Sequence, residues 1–230
     1  MHWKKFGAGV LLLGATLTGT ALAANWPQSA VTCVVPYPAG GGSDVIARLV
    51  AKQLESSLGQ TLIVENKPGA ATIIGATYVS NAKPDGYTVG TADSGTLAFN
   101  SSLYSKLQYD PAAFTYVGGL ARFPLMLAVP QESPYKTVAE LLEAVRAQPE
   151  KLTASSAGSG SPHHLALEMF KQRTDSKIVH VPYKGAAPAI QDLLGGQVDM
   201  SFVDSAAALS HIKAGKLRVL ALATPERSSL

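Results

Sequence analysis

Cys33 is the only cysteine in the chain, so no internal disulfide can close and no cysteine-based metal site can be assembled. Its place inside Val31-Thr32-Cys33-Val34-Val35 suits a small buried hydrophobe. Charge is also sparse, at 15% of residues. If residues 1–23 are removed, Lys4 and Lys5 go and no acid goes with them, which leaves 17 of the 19 basic residues against 16 acidic ones. A balance so close to neutral gives no attraction to nucleic acid or to an anionic membrane surface. H-E-x-x-H does not occur, no acidic cluster suggests a metal, and the glycine-rich stretches lack the lysine that a nucleoside triphosphate site needs. The G-x-S-x-G nucleophile elbow is missing too.

The first 24 residues are different in kind from the rest. Lys4 and Lys5 supply positive charge, Val10 to Leu22 is apolar and rich in small residues, and Ala21-Leu22-Ala23 has the A-x-A form of a cleavage site. The apolar run is shorter than the roughly 20 residues a membrane span requires. A secretory signal peptide over 1–24 is expected, and with no cysteine just after it a lipid anchor is not. The remaining chain, in a sequence 47% hydrophobic, has ample material for a core.

The chain is organised around Pro36-Tyr37-Pro38-Ala39-Gly40-Gly41-Gly42-Ser43-Asp44. An apolar strand, Val31 to Val35, precedes it. Helical spacing of Val45, Ile46, Leu49, Val50, Leu54 and Leu58 follows it, with Gly59 past the helix end. The stretch is thus a strand-to-helix turn whose glycines allow close approach and whose first helical amides have no intrahelical partner, which is the form of an anion site. An ordinary tight turn with Ser43 or Asp44 as helix cap accounts equally well for these residues taken alone.

Thr61 to Glu65 reads as a second strand, Ala70 to Ala82 as a helix weakened at Gly75, and Tyr87 to Thr91 as a third strand. This β-α-β-α-β order predicts a parallel sheet with ligands beyond its carboxyl ends. Phe114 to Leu120 and Leu125 to Val129 read as strands, and Thr137 with Glu140 as a capping box. The opening pattern then returns. Leu152 to Ser156 is a strand, Ala157-Gly158-Ser159-Gly160-Ser161-Pro162 a small-residue turn, and His163 to Arg173 a helix packing Leu165, Met169 and Phe170. Lys177 to Val181 is the next strand, and Pro188, read at a first helical position, and Gly195 bracket a short helix. Val198 to Phe202 is a strand, Asp204 or Ser205 caps the following helix, and Leu217 to Leu222 comes after Gly215.

Two such units with helix N-termini facing a shared space describe an α/β, two-lobed cleft protein, each lobe a sheet flanked by helices. The expected division is 25–120 for the first domain, 121–217 for the second, and 218–230 returning towards the first. Amide and hydroxyl donors from Gly41, Gly42, Ser43, Ser159 and Ser161 could hold a small carboxylate at micromolar affinity, about −8 kcal/mol, without a dedicated arginine. Asp44 could cap, orient the loop or accept from a ligand hydroxyl or amine. The competing chemistry is a hydrolase using Ser161 or Ser43 with His164, although a histidine in a first helical turn more often caps or packs.

Val35-Pro36-Tyr37-Pro38-Ala39-Gly40-Gly41-Gly42-Ser43-Asp44 with Ala47-Arg48, Val64-Glu65-Asn66-Lys67-Pro68-Gly69-Ala70, Pro84-Asp85-Gly86-Tyr87-Thr88, Gly158-Ser159-Gly160-Ser161 with His164-Leu165, Val181-Pro182-Tyr183-Lys184-Gly185 and Gly195-Gly196-Gln197-Val198-Asp199 occur here in one order. Together they resemble the Bug-type periplasmic substrate-binding receptors of tripartite tricarboxylate transporters. The resemblance implies a type II periplasmic-binding-protein-like fold and a monomeric, non-enzymatic receptor in the periplasm, without cofactor, metal or nucleic acid. Its ligand would be a di- or tricarboxylate, an aromatic acid or an acidic amino acid, and its partners a large and a small membrane permease subunit. It assigns carboxylate binding to Ala39, Gly40, Gly41, Gly42, Ser43 and Asp44 and to Gly158, Ser159, Gly160 and Ser161, with Ser94, Tyr183, Lys184 and Asp204 lining the pocket. It also implies a further segment after Arg227 that completes the first domain and is missing from these residues. A module that senses the same ligand for a signalling partner is the remaining alternative.

Overall fold

A computed structural model of the chain describes residues 26–227; the expected signal peptide lies outside the described residues. The first lobe is built on β1 (Val31–Val35), β2 (Leu62–Asn66) and β3 (Thr88–Gly90), all parallel in the order β2-β1-β3. Helices α1 (Gly42–Leu58), α2 (Ile73–Ser80) and α3 (Asn100–Leu103) accompany it, with a π-helical turn over Gly95–Phe99. The second lobe holds β4 (Leu125–Pro130), β5 (Thr153–Ser156), β6 (Val179–Pro182), β7 (Met200–Asp204) and β8 (Leu217–Leu222) in the order β6-β5-β7-β4-β8. Its helices are α4 (Val138–Ala147), α5 (Pro162–Thr174), α6 (Ala186–Leu194) and α7 (Ser205–Lys213).

The two sheets differ because their connections differ. Helical crossovers make β5 parallel to β6 and β7, whereas β4 runs antiparallel to both β7 and β8. Leu127, Leu141, Val145, Leu167 and Met200 fill one face of the larger sheet, and Met126, Ile190, Leu193 and Val203 the other. Thr137 caps α4 by accepting from the Glu140 amide at 3.2 Å. The Glu140 carboxylate reaches back to the Lys136 amide at 2.6 Å, one residue before the expected partner. Gly59 ends α1 in the left-handed region with its amide on the Glu55 carbonyl.

Several expectations need correction. Phe114 to Leu120 is not a strand: no described strand lies beside it, Val117 is 92% exposed, and a strand without a ladder leaves its backbone groups to water. The helix of residues 162–174 buries Leu167 completely while Met169 is exposed, because its inner face is set by the sheet beneath rather than by the most apolar stripe. Gly75 is no weakness. A Cβ there would stand 2.8 Å from Pro36 Cβ, so glycine is what lets α2 lie against the first turn. Pro188 sits at the third position of α6, and β7 starts two residues later than expected. Residues 217–222 form β8, antiparallel to β4 at the edge of the larger sheet.

Candidate functional site

The carboxyl end of β1 opens into the first glycine turn, and the carboxyl end of β5 into the second. Gly40 takes a positive φ of 83°, Gly41 is the N-cap of α1, and neither Gly41 nor its neighbours offer a side-chain cap. The amides of Gly41, Gly42 and Ser43 meet no protein acceptor among the described residues, which leaves three donors at the positive end of a 17-residue helix. Asp44 is buried behind them. It accepts from the Gly40 amide at 2.9 Å, from Asn66 Nδ2 at 2.8 Å and from Arg48 Nε at 3.0 and 3.1 Å. Burial alone would raise its carboxyl, but the bonds from Arg48, Gly40 and Asn66 outweigh that and hold it below the usual range. Asp44 therefore shapes the turn.

The second turn uses its donors differently. Gly158 and Gly160 have positive φ, 122° and 79°. The Gly158 amide donates to Ser156 Oγ at 3.1 Å, the Gly160 amide to His164 Nδ1 at 3.1 Å, and the Ser161 amide to the Gly158 carbonyl at 3.1 Å. Ser161 Oγ caps α5 by accepting from the His164 amide. The Ala157 and Ser159 amides in this turn have no protein acceptor among the described residues.

The lobes meet over these turns. A Cβ at Gly42 would lie 2.4 Å from Asp204 Oδ1, one at Gly185 2.5 Å from Pro38 Cδ, and one at Gly95 3.1 Å from the Gly160 carbonyl oxygen. The first turn thus faces the N-termini of α6 and α7, and the second faces the π-helical turn. Asp204 caps α7 through the Ala207 amide at 2.8 Å, and its other oxygen lies 3.2 Å from His163 Nε2. Burial would raise the Asp204 carboxyl; the His163 ring and the Ala207 amide more than offset this and lower it. Tyr37 donates to Asp93 Oδ2 at 2.7 Å, and burial together with that carboxylate pushes its hydroxyl well above the ordinary value.

Not every expected residue reaches this seam with its side chain. Tyr183 folds back to donate to Asp192 on its own lobe, a bond that, with burial, pushes its hydroxyl up to about 12. Lys184 is exposed and, like Ser43, Ser94 and Ser159, makes no side-chain hydrogen bond to another described residue. Ala39 and Gly40 are exposed, and the Gly40 amide is already taken by Asp44. The hydrolase arrangement is not assembled: His164 Nδ1 accepts from Gly160, and its Nε2 lies 3.6 Å from Glu168. The closest serine–histidine pair is Ser156 Oγ with His180 Nε2 at 2.6 Å, but Ser156 is fully buried.

Sequence reasoning missed Asp93, Tyr37 and Asn100 as site residues, and it singled out His163 only as a capping, packing or triad histidine, not as the partner of Asp204. Asp93 had a readable signal, since it follows the carboxyl end of a parallel strand. The others depend on partners distant in sequence, which no local pattern records.

Residues 46–230 match the family model described as the tripartite tricarboxylate transporter family receptor. Protein BugT of Bordetella pertussis is 34% identical over 226 residues, covering 96% of this chain and 68% of its own length. Two solved structures from Rhodopseudomonas palustris are similar: one with adipate (38% identity, TM-score 0.85, 88% of this chain and 68% of that one) and MatC with bound malate (32%, 0.83, 88% and 69%). The chain spans about two thirds of the length of the curated relatives it matches. Family match and fold coincide with the resemblance carried by the motifs, and the chain belongs to the Bug-type receptor family of the tripartite tricarboxylate transporters.

Proposed function

We propose that the protein is an extracytoplasmic solute receptor that captures a small organic carboxylate between its lobes and delivers it to the two-subunit permease of a tripartite tricarboxylate transporter. The observation that carries this reading is the set of unpaired amides at Gly41, Gly42, Ser43 and Ser159, on two turns that meet at one seam. A carboxylate is the ligand such donors suit, because each charge-assisted bond adds about 1.5–3 kcal/mol and the helix end favours negative charge. Ser94 precedes Gly95, whose Cβ position lies 3.1 Å from the Gly160 carbonyl oxygen, and Ser161 and Asp204 border the same seam. The backbone of Tyr183 and Gly185 supports it, and Lys184 stands outside. The adipate and malate bound by two relatives set the size of ligand expected. The protein acts as a monomer in the periplasm, exported by residues 1–24, and performs no chemistry on its ligand.

Calorimetry with a panel of dicarboxylates, hydroxy acids and acidic amino acids tests this. Micromolar binding of one of them with the acid recovered intact supports the receptor. Consumption of the acid, or failure of the whole panel to bind, contradicts it. Loss of uptake of that acid from cells lacking the protein separates transport from sensing.

A further inference from the structure

The unpaired donors on the two turns are backbone amides, with the hydroxyls of Ser43 and Ser159 beside them. Asn100, at the start of α3, is fully buried. Its Nδ2 donates to the Ala71 carbonyl at 2.8 Å, to Tyr109 Oη at 3.1 Å and to Thr72 Oγ1 at 3.3 Å. Those contacts fix which way the amide points, since a flipped group would set its carbonyl against that of Ala71. Its Oδ1 is then left buried without a partner among the described residues. This oxygen faces the other lobe and stands 3.5 Å from where a Cβ of Gly160 would be, directly on the second glycine turn. A buried acceptor without a donor is uncommon and calls for a group that supplies one.

The surroundings carry negative charge. Asp93 Oδ1 lies 3.1 Å from the Cβ position of Gly95, which itself approaches the Gly160 carbonyl. Asp204 stands over Gly42 at the end of α1. Asp93 accepts from Tyr37 and from the amide and hydroxyl of Thr96, and Asp204 accepts from the Ala207 amide with His163 Nε2 at 3.2 Å, so both carboxylates are partnered and Asn100 Oδ1 is the acceptor left open. An unsubstituted dicarboxylate would bring only further acceptors and further negative charge to this side of the seam.

Resting on the receptor reading above, we infer that the ligand is a carboxylic acid that also carries a hydrogen-bond donor, a hydroxyl or a protonated amine, and that Asn100 Oδ1 accepts from it. The carboxylate sits on the amides of the two turns. The hydroxyl or ammonium group turns towards Asn100, where plain diacids have nothing to offer. Asn100 is thereby a specificity-determining residue. A site built to accept from a donor rejects the analogue lacking it because its own polar group is left unpaired.

The test uses matched pairs on the purified protein: malate and aspartate against succinate, and 2-aminoadipate against adipate, by calorimetry. At least one donor-bearing acid binds about tenfold or more tightly than its unsubstituted partner. In Asn100→Leu, whose folding is checked by its thermal melt, that ratio falls towards one. Succinate or adipate binding as tightly as its substituted partner overturns the inference while leaving the receptor standing. A ratio retained in folded Asn100→Leu removes Asn100 from the role. The pairs need no variant, so the ligand-class claim stays testable if Asn100→Leu does not fold. Failure of every acid in the set removes the receptor reading and this inference with it.

Discussion

The rings of His164 and His180 stack with centroids 4.0 Å apart and planes inclined by 20°. His164 comes from the first turn of α5 and His180 from β6, so the pair ties the helix behind the second glycine turn to the sheet edge. Burial, then the neighbouring ring, pushes His180 down to about 4, and burial lowers His164 as well. Glu168 opposes and Lys171 reinforces both shifts. The fold thus favours the neutral rings. Stability from this pair is complete above the unfolded value near 6.5 and is lost as pH falls from there through about 4. The loss should come to about 1–2 kcal/mol after allowance for solvent screening of these partly buried rings. Denaturant melts between pH 7 and pH 4 check it, with His180→Gln expected to flatten that limb. A proton on His164 Nδ1 also removes the acceptor of the Gly160 amide, so ligand affinity should weaken over the same interval.

Asp44 and its partners make a second case. Asp44→Ala leaves the Gly40 amide, Asn66 Nδ2 and the Arg48 guanidinium without their acceptor and should cost about 2–4 kcal/mol. Arg48→Ala should cost less than about 1 kcal/mol, because half of that side chain is in water. Urea denaturation of the two variants measures the contrast. The lowered carboxyls of Asp44 and Asp204 contribute stability above the unfolded carboxylate value, and it is lost as pH falls through their depressed values. That loss lies below the histidine interval and is separable from it.

Gly42 is held to glycine by the opposite lobe. Gly42→Ala sets a Cβ 2.4 Å from Asp204 Oδ1, so either the seam spreads or Asp204 leaves the Ala207 amide. A destabilisation of about 1–3 kcal/mol is expected. The cost should shrink in an Asp204→Ser background, which keeps a cap and removes the obstacle; additive effects in that double-mutant cycle would mean that the two residues do not meet.

Much of the fold is legible locally. Val31 to Val35, the turn glycines, Thr137 with Glu140, and Asp204 before Ala207 all announce their structure, because a strand, a positive φ or a cap needs only a few neighbours. Phe114 to Leu120 shows the limit: its composition suits a strand, but pairing depends on residues far away in sequence. The same limit governs the site. The turns at Gly41 and Ser159 are visible as glycine and serine runs. That Gly40, Gly158 and Gly160 amides are already committed to Asp44, Ser156 and His164 is a matter of side-chain geometry, as is the meeting of Asn100 with Gly160 across the lobes.

Backbone amides rather than a lysine should hold the anion. Lys184→Ala, at an exposed position, is expected to change ligand affinity by less than about threefold, the scale of a screened surface charge. Gly41→Val places its branches towards Ala186, whose Cβ is already 3.7 Å from a Cβ at Gly41, and should lower affinity by about tenfold or more by wedging the seam.

The most direct measurement is mass-spectrometric identification of the small molecules released when the purified protein is denatured, carried out in parallel for Gly41→Val. The account predicts one organic acid per chain, bearing a hydroxyl or amino group, with most of it lost from Gly41→Val. Release of no acid from the parent protein, or equal amounts from both, would contradict it.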